Sequence, residues 1–181
     1  MKKIAVLGIG KVGDLAALLL HGSGFEVTGF DRRTPRRERA YPIGQMDVSD
    51  VAAVEKGLAG FDAVLSCLPY SLNIGVADAA VAAGIHYFDL TEDVPTTRHI
   101  IDLSASSPGL MAPQCGLAPG FVGIVGASQI GRFDTCRSVR MRVGALPQNP
   151  TGLMGYSFNW SPEGVVNEYL NDCEVIEHGE R

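Results

Sequence analysis

Residues 3–13, KIAVLGIGKVG, constrain the fold more than any other stretch of the chain. KIAVLG is an apolar run with the length and composition of a buried strand. At Gly8 the pattern changes to that of a helix, with Val12, Leu15, Ala16 and Leu19 spaced to share one inward face. Gly8, Gly10 and Gly13 stand at the change in the order GxGxxG. Each position has a physical use. Gly8 permits a tight turn, Gly10 lets backbone N–H groups approach a pyrophosphate, and Gly13 lets the helix lie close to its strand. Ile9, Lys11 and Val12 complete the loop, and the helix start offers unpaired N–H donors and a partial positive charge to phosphates. A glycine turn of this kind also serves with no ligand at all, so its context decides.

The context is an alternation of strand and helix with short connections. EVTGFD (26–31) reads as a second strand and residues 43–46 as a short third, followed by a helix from Asp50 to Leu58 capped by Ser49, with Val51, Val54 and Leu58 facing in. FDAVLSC (61–67) is a fourth strand. A helix marked by Leu72, Val76, Ala79, Ala80 and Ala83 follows and ends at Gly84. HYFDL (86–90), a helix opened by Pro95, and GLMAP (109–113) continue the series. Such alternation predicts a parallel sheet covered by helices, and right-handed crossovers leave the Rossmann-type doubly wound α/β fold as its solution. After about residue 133 the rhythm changes. SVRMRVGALP (138–147) alternates apolar residues with Arg140 and Arg142, as a half-exposed antiparallel strand does, and GLMGYSFNW follows as a second. The chain therefore divides into a dinucleotide-binding domain, residues 1–130, and the beginning of a second, mixed α+β domain, residues 131–181.

Charge narrows the ligand. The chain of 181 residues has a net charge of −5, but residues 1–40 hold eight Lys and Arg against four Asp and Glu, most of the excess in Arg32, Arg33, Arg36, Arg37 and Arg39. One short arginine cluster on an acidic protein suits a small anion or a solvated loop and argues against nucleic acid. The cysteines at 67, 115, 136 and 173 form no CxxC pair, and the four histidines form no HxH or HExxH pattern, so no metal is expected and a reducing cytoplasm is. No apolar run reaches membrane-spanning length.

Five segments carry the chemistry. Asp31, 18 residues after Gly13, ends the second strand where an acidic residue accepts hydrogen bonds from both adenosine ribose hydroxyls and repels a 2′-phosphate, favouring NAD. Arg32 and Arg33 pull toward NADP, or stand as solvent-facing charges. Asp47 and Val48 are placed at the adenine edge. CLPY, Cys67 to Tyr70, ends the fourth strand, where the backbone of Cys67, Leu68 and Pro69 meets the middle of a bound dinucleotide. Cys67 and Cys115 are nucleophiles or small buried residues. In HYFDLTED, Asp89 is a candidate general base, with helix capping by Thr91 or Asp93 as the alternative, and His86 is a strand-start residue. In CGLAPGF, Pro119 and Gly120 turn into a helix at the face where a nicotinamide ring would sit, with a simple strand-to-helix turn as the alternative. Trp160, in NWSPEGVVNEY, reads as a core anchor or an aromatic wall, and Ser161 as the cap of a helix opened by Pro162.

GIGKVG, FDRR, CLPY, ADAAVAAGIHYFDLTED, CGLAPGF, GALPQNP and NWSPEGVVNEY, in this order, resemble the saccharopine dehydrogenase-like family, with lysine ε-dehydrogenase as the nearest branch and carboxynorspermidine and saccharopine reductases as relatives. The resemblance covers the whole chain. It implies an NAD(P)-dependent oxidoreductase acting on a C–N bond of an amino acid or polyamine precursor. It places Ala118, Pro119 and Gly120 against the nicotinamide and makes Gly8, Gly10, Lys11, Val12, Gly13 and Asp31 the cofactor cradle. It also implies an amino-acid-like substrate and a homodimer formed through a second domain that runs beyond Arg181, the chain in hand reading as an N-terminal fragment. A non-catalytic nucleotide-sensing module is the competing class. It shares the glycine turn and the acidic residue but lacks CGLAPGF followed by NWSPEGVVNEY.

Overall fold

The computed structural model describes residues 1–33, 38–144, 146–153, 155–158, 161–172, 178 and 180. Arg36, Arg37, Trp160 and Cys173 lie outside the described residues. Six strands, β1 (Lys3–Leu7), β2 (Glu26–Asp31), β3 (Ile43–Gln45), β4 (Ala63–Ser66), β5 (His86–Asp89) and β6 (Met111–Ala112), form one sheet in the order β3-β2-β1-β4-β5-β6. Every pair is parallel, with Leu7 of β1 opposite Phe30 of β2 and Ser66 of β4. Strand order reverses between β1 and β4. At their carboxyl ends the two outgoing connections part and leave a crevice, the place where open α/β sheets bind ligands.

Helices α1 (Lys11–Gly22), α2 (Val51–Leu58), α3 (Asn73–Ala83) and α4 (Val94–Ser104) are the crossovers. β1 is buried on both sides. Ala5 and Leu7 join a core with Val54, Leu58, Val76, Ala80 and Ile100 from α2, α3 and α4, while Ile4 and Val6 pack with Ala17 of α1, Val27 and Tyr41. Burial on both faces explains why the sequence of β1 is a continuous apolar run rather than an alternating one.

Helix α1 corrects the periodicity reading. Val12, Leu15 and Leu19 are 55%, 57% and 61% exposed, whereas Gly13 and Ala17 face the sheet. The close approach set by the glycine turn selects small side chains, so the larger apolar residues are rotated outward. Val51 is likewise exposed, although Val54 and Leu58 are buried as expected. The cap of α2 is Asp50, whose carboxylate accepts the Ala53 N–H at 3.2 Å, and not Ser49.

Past β6 lie α5 (Phe121–Ile130) and α6 (Pro162–Leu170). The antiparallel strand expected over 138–147 is not formed among the described residues. Residues 138–144 are irregular and exposed, and residues 152, 153 and 155–158 also make no ladder. A strand with one apolar edge needs a neighbour to pair its backbone groups, and no described segment supplies one. α6 does form as its sequence predicts, with Ser161 accepting the Gly164 N–H at 3.1 Å. Its Val165 is buried, and the Asn167 amide ties it to the sheet domain by donating to the Asp93 carboxylate at 2.9 Å.

Candidate functional site

The crevice between β1 and β4 opens into a cleft of about 340 Å³ lined by Gly8, Phe30, Asp31, Arg32, Met46, Asp47, Val48, Ser49, Leu68, Pro69 and Leu72. Seven of these, Gly8, Asp31, Arg32, Asp47, Val48, Leu68 and Pro69, are residues the sequence motifs single out. Phe30 is the first residue of FDRR, and Met46, Ser49 and Leu72 are additions that lie close to a strand-end motif in sequence, so the neighbourhood was legible although no side-chain signal marked it.

The glycine turn has three distinct environments. Gly8 has φ +86°, a left-handed conformation, and a Cβ there would meet the Cys67 carbonyl oxygen at 2.9 Å. A Cβ on Gly13 would fall 1.9 Å from the Gly8 carbonyl oxygen, so helix and turn touch through bare backbone. Gly10 is different: among the described residues a Cβ there would meet no atom within 4 Å. No described residue requires glycine at position 10, whereas a phosphate approaching the backbone would. α2, α4 and α6 are closed at their N-termini by Asp50, Asp93 and Ser161, whereas α1, like α3 and α5, has no side-chain cap and begins at Gly10. Its first N–H groups are left for a ligand. Lys11 and Val12 are exposed beside them. Ile9 turns its side chain into the core against Gly29 and contributes its backbone N–H alone, donated to the Asp31 carboxylate at 2.9 Å.

Asp31 accepts a second bond, from the Arg33 N–H at 3.1 Å, so its carboxylate joins the glycine turn to the arginine loop. That loop is fastened again further on. The Arg39 guanidinium lies 2.6 Å from the Asp14 carboxylate on α1, and the Tyr41 hydroxyl donates to the same oxygen. Burial and the Asp14 charge push the Tyr41 phenol up to about 12. Asp47 accepts both the N–H and the hydroxyl of Ser49, and these bonds hold its carboxyl below the ordinary range. Among the described residues the lining thus carries two carboxylates and one guanidinium.

Three candidates are relocated by the structure. Cys67 lies beneath the glycine turn, its Cβ 3.2 Å from where a Cβ on Gly13 would stand, and outside the lining of the cleft. Burial pushes its thiol up to about 12, which removes it as a nucleophile at neutral pH. Cys115 is pushed upward too, by burial and by the Asp89 charge. Asp89 is wholly buried and already accepts from the Tyr87 hydroxyl (2.8 Å), the Thr91 N–H (3.0 Å) and the Gln114 N–H (3.1 Å), so it does not face the crevice as a free base. Asp93, not Thr91, caps α4, accepting the Thr96 N–H at 2.9 Å and its hydroxyl at 2.6 Å. His86 accepts the Leu110 N–H at 2.9 Å and fixes the start of β6. Ala118, Pro119 and Gly120 lie outside the cleft lining, in a loop that follows β6 on the same strand-end face.

A parallel sheet with a glycine turn, an uncapped helix start and an acidic residue at the end of β2 defines a dinucleotide-binding α/β domain. Residues 4–108 match the family domain described as the saccharopine dehydrogenase NADP binding domain, and residues 116–181 match the saccharopine dehydrogenase C-terminal domain. The chain belongs to the saccharopine dehydrogenase family. It is 25% identical over 140 residues to the NADP-dependent, L-glutamate-forming saccharopine dehydrogenase of Schizosaccharomyces pombe, an alignment covering 74% of this chain and 31% of that protein. It is 26% identical over 195 residues to the enzyme of the same name from Pyricularia oryzae, covering 98% of this chain and 42% of that one. The mitochondrial alpha-aminoadipic semialdehyde synthase of Rattus norvegicus is 26% identical over 193 residues, covering 98% of this chain and 21% of that protein. The chain therefore spans less than half the length of these relatives. Among solved structures, apo saccharopine dehydrogenase (L-Glu forming) from Saccharomyces cerevisiae superimposes with a TM-score of 0.62 at 23% identity, over 92% of this chain and 40% of that one, a likeness of fold. No helix among the described residues is long and apolar enough to cross a membrane.

Proposed function

We propose that this chain is the cofactor-binding part of an NAD(P)-dependent oxidoreductase that acts on a C–N bond of an amino acid of the lysine or saccharopine type. The observation that carries the reading is the open space at Gly10 beside the uncapped start of α1. There the residues fit a pyrophosphate. Gly8, Ile9, Gly10, Lys11, Val12 and Gly13 form the cradle, Asp31 and Arg32 take the adenosine ribose, and Asp47, Val48, Leu68 and Pro69 enclose the adenine side. Ala118, Pro119 and Gly120 border the nicotinamide. When bound, the dinucleotide supplies the hydride acceptor or donor. The protein's own residues bind it, orient it and hold water away from its apolar parts.

Among the described lining residues, Asp31 and Asp47 outnumber Arg32 in charge, which favours NAD over a dinucleotide bearing a 2′-phosphate. The family domain's name carries NADP, and Arg32 and Arg33 are the residues through which that cofactor would be accommodated. Residues 131–181 belong to a domain that binds substrate and forms a homodimer, and the free thiols of Cys67, Cys115 and Cys136 suit a cytoplasmic setting. Calorimetric titration of the chain with NADH and NADPH tests the reading. Saturable binding of at least one is expected, and absence of binding to a folded chain overturns it.

A further inference from the structure

We propose that Asp89 is a positioning residue for the dinucleotide site, holding the CGLAPG loop through the main chain of Gln114 and Cys115. The inference rests on the reading of that loop as the nicotinamide-side wall. Asp89 ends β5 and reaches across to the segment after β6. Its Oδ1 accepts the N–H groups of Thr91 and Gln114, and its carbonyl oxygen accepts the Cys115 N–H at 2.7 Å. Gln114 has φ +62°, a left-handed conformation that a residue with a side chain adopts only when its surroundings impose it. The two bonds from Asp89 supply the imposition, one on Gln114 itself and one on the next residue.

From there the loop closes on itself without slack. Gly120 has φ +131°, and a Cβ on it would strike the Gly116 carbonyl oxygen at 2.2 Å and the Gln114 carbonyl oxygen at 2.7 Å. The Phe121 N–H donates to Gly116 O at 2.9 Å. Displacing Gln114 therefore displaces Gly120 and the start of α5. The other carboxylate oxygen is tied down as well. Tyr87 donates to Asp89 Oδ2, its hydroxyl lies 3.4 Å from the Asn73 carbonyl oxygen, and Asn73 accepts the Ser66 hydroxyl at 2.7 Å. All four side chains are buried. This line of polar groups connects the end of β4, where CLPY begins, to the loop after β6, so both strand-end loops are referred to one fixed carboxylate.

Three variants separate geometry from charge. Asp89→Asn keeps an oxygen for the Thr91 and Gln114 N–H groups, and the Tyr87 hydroxyl can rotate to accept from the new amide. Asp89→Glu keeps the charge and misplaces the oxygens. Asp89→Ala keeps neither. For each, with circular dichroism to establish folding, calorimetry gives the affinity for NADH and for ADP-ribose, which lacks the nicotinamide. The ratio of the two affinities is expected to match the parent in Asp89→Asn and to fall at least tenfold in Asp89→Ala and Asp89→Glu, with ADP-ribose affinity held. Should Asp89→Ala not fold, the Asn and Glu variants still decide. An unchanged ratio in Asp89→Ala or Asp89→Glu, or an equal loss in Asp89→Asn, overturns the proposal. A parent chain that binds NADH no better than ADP-ribose overturns the nicotinamide-side reading of the loop, and this proposal with it.

Discussion

The backbone N–H of Ile9 donates to the Asp31 carboxylate across 2.9 Å, so the turn after β1 is fastened to the end of β2 by the same group that would meet the adenosine ribose. The Arg33 N–H, at 3.1 Å on the other oxygen, extends the tie into the arginine loop. A carboxylate has lone pairs enough for these two donors and for ribose hydroxyls. Asp31→Ala removes both functions. NADH affinity is expected to fall about 10- to 100-fold, the scale of a lost hydrogen bond to a charged group. NADPH affinity falls less, because a repulsive charge beside the 2′-phosphate goes with it. Titration of both cofactors against the variant checks this, and an equal loss for the two would contradict the ribose assignment.

Asp47 gives a second handle on cofactor choice. Both bonds from Ser49 end on one of its oxygens, Oδ1, so Asp47→Asn preserves the turn while deleting the charge. NADPH affinity should rise about three- to tenfold relative to NADH, as expected for one screened charge near the 2′-position. The gain shrinks as salt is raised. A variant whose preference is indifferent to both changes places the 2′-position away from Asp47.

The glycines of the turn separate binding from folding. In Gly10→Val the added Cβ meets no described atom within 4 Å, so stability is expected to stay near that of the parent while dinucleotide binding is abolished. In Gly13→Ala the new Cβ lies 1.9 Å from Gly8 O, and the helix must move. The cost is about 1–3 kcal/mol or more. Denaturant midpoints and calorimetry on the two variants should dissociate in opposite senses. A stable Gly10→Val chain that still binds would remove the pyrophosphate from this turn.

These contrasts show how far sequence alone reaches. GIGKVG, Asp31 and CLPY were legible because backbone geometry dictates them: only glycine fits Gly8 and Gly13, and strand ends follow from apolar runs. The phase of α1 was not legible, because hydrophobicity nominated Val12 and Leu15 while the distance between helix and sheet admitted only Gly13 and Ala17. The role of Asp89 was hidden for a different reason. A carboxylate at a strand end has the same one-letter signature whether it faces a crevice or three N–H and O–H donors, and those donors come from residues 87, 91 and 114. The latch of Asp14 to Arg39 and Tyr41 likewise joins residues more than twenty apart that no motif connects. The strand expected over 138–147 is not formed among the described residues, because alternation reports which side is apolar, not whether a partner pairs with it.

Alkaline pH probes the packing beneath the site. Cys67 is raised from an ordinary 9.0 to about 12 by burial under the glycine turn, and Tyr41 from 10.0 to about 12 by burial and its bond to Asp14. A group whose pKa is raised on folding contributes stability that is full below its unfolded value and is lost as pH climbs toward the folded one. Unfolding free energy should therefore hold up to about pH 9, then decline through pH 12, the thiol acting from 9 and the phenol from 10. Tyr87, raised in the same direction by burial, adds to the decline. Cys67→Ala is expected to flatten the first part of this limb and Tyr41→Phe the second. Tyr41→Phe also lowers stability at neutral pH by about 1 kcal/mol for the lost bond. Denaturant titrations across this range decide the matter: a limb of unchanged slope in Cys67→Ala would mean that the thiol titrates freely in the folded chain and is open to solvent beside the dinucleotide.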